Sequence, residues 1–279
     1  MPDRADSLTG SPPALRFIDL GRLPYAPALD AQRQTHAAVV AGEVPPTVLF
    51  VEHDPVITIS RRKTASQHLI ADENTLRQMG IDTQPTDRGG DITYHGPGQL
   101  VAYPILRLAP LGLSISRYMR VLEEIIIGTL AAFEVRGVRD ACATGVWVEE
   151  KSAATFPAAT NEPAVNEAKA NEATVNDAAA KSSCAASRLP TAKIAALGVR
   201  LSRGVTLHGL ALNVTTDLRH FQTIVPCGLA GRAVTSIEQM LGMRTPPMGR
   251  VKQEMERVMR RHFAMPPQAN ETEGSRLLS

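Results

Sequence analysis

The sequence predicts an α+β fold. Three observations carry that reading: several short β-branched runs bounded by turn residues, a few stretches with helical apolar spacing, and an irregular order of the two. Strict strand–helix alternation, as in a Rossmann-type sheet, is missing.

Residues 1–13 are polar and rich in Pro, Ser and Gly, which predicts a loose tail. One ordered domain is expected over residues 14–265, followed by a polar tail at 266–279. Residues 28–40 carry Leu29, Ala37, Val39 and Val40 ahead of Gly42 and Pro45, the pattern of a short helix with its stop. TVLFVEH (47–53) and VITIS (56–60) read as strands on either side of an Asp54-Pro55 turn. A basic loop, Arg61-Arg62-Lys63, precedes a short helix at 72–80. In DITYHGPGQLVAYPIL (91–106) the His95-Gly96-Pro97-Gly98 centre must interrupt the β structure. Ser114 or Ser116 can cap the next helix, which has Leu122, Ile125, Ile126, Leu130 and Phe133 at helical spacing and Gly137 as a stop. GVWVE (145–149) is strand-like, and KIAALGVRL, Ser202-Arg203-Gly204 and VTLHGLALNV read as a hairpin over 193–214. A loop at 224–231, a short helix after Thr235 and an amphipathic helix over 251–263 complete the domain.

Residues 150–189 differ in kind. They are mostly Ala, Asn, Glu, Thr and Ser, and NEPAVNEAKA (161–170) is followed by its degenerate copy NEATVNDAAA (171–180). Such a stretch cannot bury enough apolar surface to offset its ordering entropy, so it reads as a disordered insertion between two strands. Loop closure tolerates it, since each doubling of length costs only about 0.6 kcal/mol.

Composition narrows the function. With 43% hydrophobic and 21% charged residues the chain is an ordinary globular one. Aromatics at 4% and a net charge of +2 argue against a nucleic-acid platform. Three cysteines without a CxxC pair suit neither a disulfide framework nor a structural zinc. No apolar run is long enough for a secretion signal or a membrane span, so a cytoplasmic location is expected, where a thiol stays reduced.

Three segments hold residues that a packed core does not need. In RGGDITYHGPGQ (88–99) the glycines permit close backbone approach to a ligand, or serve as ordinary turn residues; no nucleotide fingerprint is present. Lys193, by strand alternation, shares a face with Leu197, Val199 and Leu201, so it either snorkels out at the strand end or is held in a pocket. Held in a pocket, it would exchange protons nearer neutral pH. Cys227, between Pro226 and Gly228, is poorly placed as core filler, whereas Cys142 reads as packing and Cys184 lies in the insertion. An unperturbed thiol, with a pKa of about 8.5, is only a few per cent thiolate at pH 7, and a nearby ammonium would raise that fraction.

RGGDITYHGPGQLVAYPI, KIAALGVRLSRGVTLHGLALNV and PCGLAG, in that order, resemble the signature blocks of the octanoyltransferase family of lipoate biosynthesis. The resemblance covers nearly all of residues 15–263 except the insertion. It implies the biotin/lipoate protein ligase type of α+β fold, with mixed and antiparallel sheets flanked by helices. It also implies Cys227 as the acyl-thioester nucleophile and Lys193 as its acid/base partner. The implied acyl pocket is Arg88, Gly89, Gly90, Asp91, Ile92, Thr93, Tyr94 and His95, with Ala196-Leu197-Gly198 and Gly209-Leu210-Ala211; His95 and His208 would shape it. Small residues suit a narrow slot for a straight eight-carbon chain.

The implied donor is octanoyl-acyl carrier protein, with the acyl group on phosphopantetheine. The implied acceptors are the lipoyl domains of 2-oxoacid dehydrogenases and the glycine cleavage H protein. Neither ATP nor a metal is expected, and neither nucleic acid nor a membrane is an expected partner. Basic clusters at Arg61-Arg62-Lys63, Arg200/Arg203 and Arg257/Arg260/Arg261 are candidate docking charges or plain solvated faces. The competing readings are an ATP-dependent lipoate or biotin ligase on the same fold, a cysteine thioesterase, and an acyl-binding module without catalysis.

Overall fold

A computed structural model describes residues 15–140, 143–149, 191–225 and 232–263. The expected tails at 1–13 and 266–279, the insertion at 150–189, all three cysteines and the 226–231 stretch lie outside the described residues.

Two sheets organise the fold. The larger has the order β1 (Arg16–Leu23), β2 (Thr47–His53), β6 (Gln99–Ile105), β10 (Val205–Asn213), β9 (Thr191–Ser202), β8 (Val146–Glu149) and β7 (Gly137–Arg139). The smaller is β4 (Asp82–Pro85), β3 (Val56–Ile59) and β5 (Ile92–His95). β1 runs parallel to β2 and β3 to β4; the other pairs are antiparallel.

The runs that look like two consecutive strand pairs divide between these sheets. β2 and β6 pair in the larger sheet, β3 and β5 in the smaller. Asp54-Pro55 and Gly96-Pro97-Gly98 supply matching corners where both chains leave one sheet for the other. A crease between the sheets results.

Helices close both faces. α3 (Ile115–Ala131) and α5 (Met248–His262) set Leu122, Ile125, Ile126, Val251, Met255 and Met259 against Leu100, Leu210 and Leu212. Each fully buried Leu or Ile there contributes about 1.5–3 kcal/mol. α1 (Tyr25–Ala41) covers the opposite face over Leu49, Val51, Val101 and Tyr103. The short α2 (Glu73–Gln78) is capped by Asp72, and α4 (Ile237–Leu241) by Ser236. Among the described residues no helix is long and apolar enough to cross a membrane.

Some boundaries differ from the sequence pattern for local reasons. Ser114 caps α3, accepting from Arg117 N at 3.2 Å. The helix stops well before Gly137, because Glu134 turns left-handed (φ 62) and Val135 N closes back on Leu130 O. Gly137 instead opens β7. β1, β4 and β7 are short or polar edge segments that alternation does not reveal. The β9–β10 turn contains just Arg203 and Gly204, both at positive φ (52 and 74).

Candidate active site

The crease between the sheets holds a cleft. On its floor β9 and β10 pair Ala196 with Ala211 and Gly198 with Gly209, beside Val101 and Tyr103 of β6. Leu197 and Leu210, also opposite one another, pack towards α3, so the floor is made of small side chains and backbone. Arg88, Gly90, Asp91, Ile92, Thr93 and His95 form the facing wall, with Tyr25 and His208 at the ends. The 88–91 stretch lies directly on β9: Gly89 N donates to Val199 O at 3.0 Å, and a Cβ on Gly198 would come within 2.6 Å of Gly89 O. Close approach of chain to chain is what these two glycines permit.

The described cleft measures about 40 Å³, room for very few water molecules. Of the residues assigned to the pocket from sequence, Gly89 and Tyr94 do not line it. Tyr94 turns to the far side of the small sheet, packs on Phe221 and shares a 2.7 Å hydrogen bond with His220 Nδ1. Tyr25, Val101 and Tyr103 line the cleft without having been singled out.

A chain of buried polar groups runs under the cleft. His53 Nδ1 donates to Leu23 O (3.1 Å), so Nε2 accepts from the Tyr103 hydroxyl (2.7 Å). His95 Nδ1 lies 2.7 Å from Gln99 Oε1, whose amide donates to Asn213 Oδ1 (2.9 Å). Asn213 Nδ2 donates to Thr235 O, and Thr235 N to Lys193 O, each at 2.9 Å. Gln99 is thus oriented by its two donor bonds, which makes His95 the donor at Nδ1.

Burial pushes the His95 imidazole down to about 3, and the neighbouring His53 adds to that. Burial likewise brings His53 to about 4, against the pull of Leu23 O. His208 is lowered by burial too, although Asp87, 2.7 Å from its Nε2, opposes the shift. Burial works against the Asp87 charge, but His208 and Arg200 hold its carboxyl below the usual value.

These neutral histidines carry a consequence for stability. Their folded pKa values lie below the unfolded value of about 6.5, so the unfolded chain takes up protons first. Stability is therefore full above about pH 6.5 and lost as pH falls towards 4 and then 3. At pH 5.5 the cost is on the order of 1 kcal/mol per histidine. Denaturant melts at pH 7.5 and 5.5 should show that loss, and a His53→Gln/His95→Gln variant should show less of it. An equal loss in the variant contradicts the assignment.

Lys193 sits on the cleft side of the larger sheet, not on the Leu197–Val199–Leu201 side that simple alternation gives. Val146 pairs with Ala195 but Trp147 with Lys193, so Ile194 is an extra residue in β9. Ile194 and Ala195 both enter the α3 core, and the phase of the strand reverses below them. Val146 and Val148 enter that core as well, which leaves Trp147 and its partner Lys193 on the other face. Lys193 is 8% exposed, with Nζ 5.3 Å from the centre of the Trp147 ring. It is held, not snorkelled. Gly145 makes the room: at φ 132, a Cβ there would lie 2.6 Å from Lys193 Cε.

The pairing of β10 with β9 reaches only to Leu212, opposite Ala195. Next to Lys193 its place is taken by residues 233–235: Lys193 N donates to Ala233 O (2.8 Å) and Val234 forms a bridge to Lys193. On the other side of the 226–231 stretch, Val225 N donates to His68 O at 2.8 Å. Ala233 and Thr235, six and eight positions after Cys227 in sequence, are thus bonded to Lys193 itself. Among the described residues no group of three or more His, Cys, Asp or Glu side chains is placed to hold a metal ion.

The family profile for the lipoyl protein ligase A/B catalytic domain matches residues 24–260. The chain belongs to this family. Within the family, an octanoyltransferase of Acidobacterium capsulatum is 41% identical over 231 residues, 80% of this chain and 79% of the relative. One from Chloroflexus aurantiacus is 38% identical over 249 residues, 89% and 93% of the two chains. This member of the lipoyl protein ligase A/B family is accordingly an enzyme of the acyltransferase class. Its fold is that of the solved lipoate protein ligases. A bipartite lipoate protein ligase from Thermoplasma acidophilum superposes with a TM-score of 0.59 at 14% identity, over 91% of this chain and 85% of that one. A lipoate-protein ligase A bound with ATP gives 0.55 at 14% identity, over 90% and 85%.

Proposed function

We propose that this chain moves an octanoyl group from the phosphopantetheine thioester of octanoyl-acyl carrier protein to the acceptor lysine of lipoyl domains, through a thioester on Cys227. Acceptors would include the lipoyl domains of 2-oxoacid dehydrogenases and the glycine cleavage H protein, in the cytoplasm. The relatives' shared name supports octanoyl transfer. The observation that supports the cysteine mechanism is Lys193, a buried lysine on the cleft side whose backbone binds Ala233 and Thr235, six and eight positions after Cys227 in sequence.

In the first half-reaction Lys193 takes the Cys227 proton or stabilises the thiolate, and the sulfur attacks the donor carbonyl. The carbon–sulfur bond to pantetheine breaks, and the leaving thiolate recovers the proton from Lys193. In the second, the neutral acceptor amine attacks the Cys227 thioester; the C–N bond forms, the C–S bond breaks, and the amine proton passes by way of Lys193 to the sulfur. The acyl group arrives activated as a thioester, so ATP has no step to serve. The acyl chain would lie over Ala196, Ala211, Gly198 and Gly209.

Of the candidate docking charges, Arg257 and Arg260 are paired with Glu254 and Glu256, and Arg200 with Asp87. Arg61, Arg62 and Lys63 adjoin Ser60, whose hydroxyl donates to Gly90 O on the cleft wall (3.1 Å). They are the better site for an acidic carrier.

Incubation with octanoyl-acyl carrier protein and a lipoyl domain, without nucleotide, should add an octanoyl group to the domain, read by intact mass. Modification that needs free octanoate and ATP would make the chain a ligase. Release of octanoate with an unmodified domain would make it a thioesterase.

A further inference from the structure

Arg232 is the first described residue after the 226–231 stretch, and its side chain crosses Lys193. The segment it begins lies on one side of Lys193, bonded through Ala233 and Thr235. Its guanidinium carbon, however, lies 3.7 Å from the ring centre of Trp147, on the strand flanking Lys193 on the other side. That is stacking contact, and the indole is 1% exposed. Asp140 fixes the far end: its Oδ2 accepts from Arg232 Nη2 at 2.8 Å, and Asp140 Oδ1 is in turn held by Ala143 N. Gly145 completes the enclosure from below Lys193 Cε.

We propose that Arg232 is a positioning residue, clamping Trp147 over the Lys193 side chain and so setting where the ammonium can reach. The stack ties together three backbone segments: β8 by Trp147, β9 by Lys193, and the segment that starts at residue 232 by Arg232. A lysine has four rotatable side-chain bonds, and restricting them is what lets one amine serve both half-reactions from one place. The clamp rests on the reading of Lys193 as the acid/base of the transfer.

Two measurements test it. The first is a kinetic cycle of Arg232→Ala, Lys193→Met and the double variant, with Arg232→Lys alongside. Arg232→Ala should lower kcat about 10- to 100-fold with the donor KM within about twofold. Arg232→Lys should recover part of that loss. In the Lys193→Met background, Arg232→Ala should cost little more. A full multiplicative loss there, or a loss that falls on KM, overturns the proposal and leaves Arg232 a merely structural residue. The second uses Trp147 as the sole tryptophan of the chain. Its emission should shift in both Arg232→Ala and Lys193→Met. If Lys193→Met leaves transfer intact, the acid/base reading fails and the emission alone decides the clamp; unchanged emission in both variants overturns it.

Discussion

Lys193→Met is expected to lower octanoyl transfer by roughly 10²- to 10⁴-fold, the range of a lost general acid–base group. Methionine keeps an unbranched chain of similar length against Trp147 and fits the space that Gly145 leaves, so packing changes little. What disappears is the only part of the side chain that exchanges protons. Melting temperature should stay close to that of the parent while kcat collapses. Transfer within about threefold of the parent, in a variant that melts normally, would remove Lys193 from the mechanism.

Gly145→Ala is expected to damage the same site without removing a polar atom. The added methyl would sit 2.6 Å from Lys193 Cε, 2.7 Å from Ala195 O and 3.2 Å from Lys193 Nζ, at a backbone φ of 132. Real Cβ atoms do not come so close to a carbonyl, and an L-residue is strained at that φ, so both lysine and strand must move. A cost of about 1–3 kcal/mol in stability should accompany a fall in kcat of about 100-fold. Gly204→Ala is the control, with φ 74 but open space around it. It should carry the strain alone and keep its activity. Equal activity in the two variants would mean that the Lys193 position tolerates displacement.

The α+β class and most central elements could be read from sequence, because β-branched runs and apolar helical spacing are local properties. α3 and β9–β10 are of that kind. The division of β2–β3 and β5–β6 between two sheets was not readable, since a corner and a hairpin turn use the same Pro and Gly residues. The motif marks Lys193, but strand alternation places it on the wrong face. A bulge belongs to the pairing of two strands, and nothing in β9 by itself marks Ile194 as the extra residue. Gly145 and Trp147 reach Lys193 from one segment and Arg232 from another, and no sequence pattern links the two. His53 did leave a signal: it is an imidazole closing the largely apolar run TVLFVEH, where burial demands a hydrogen-bond partner.

Intact-protein mass spectrometry after incubation with octanoyl-acyl carrier protein can detect the covalent octanoyl-enzyme proposed on Cys227. A hydroxylamine-labile octanoyl adduct is expected on the parent and none on Cys227→Ser, with discharge of the adduct when a lipoyl domain is added. No adduct on the parent, with domain modification appearing only when octanoate and ATP are supplied, would contradict it.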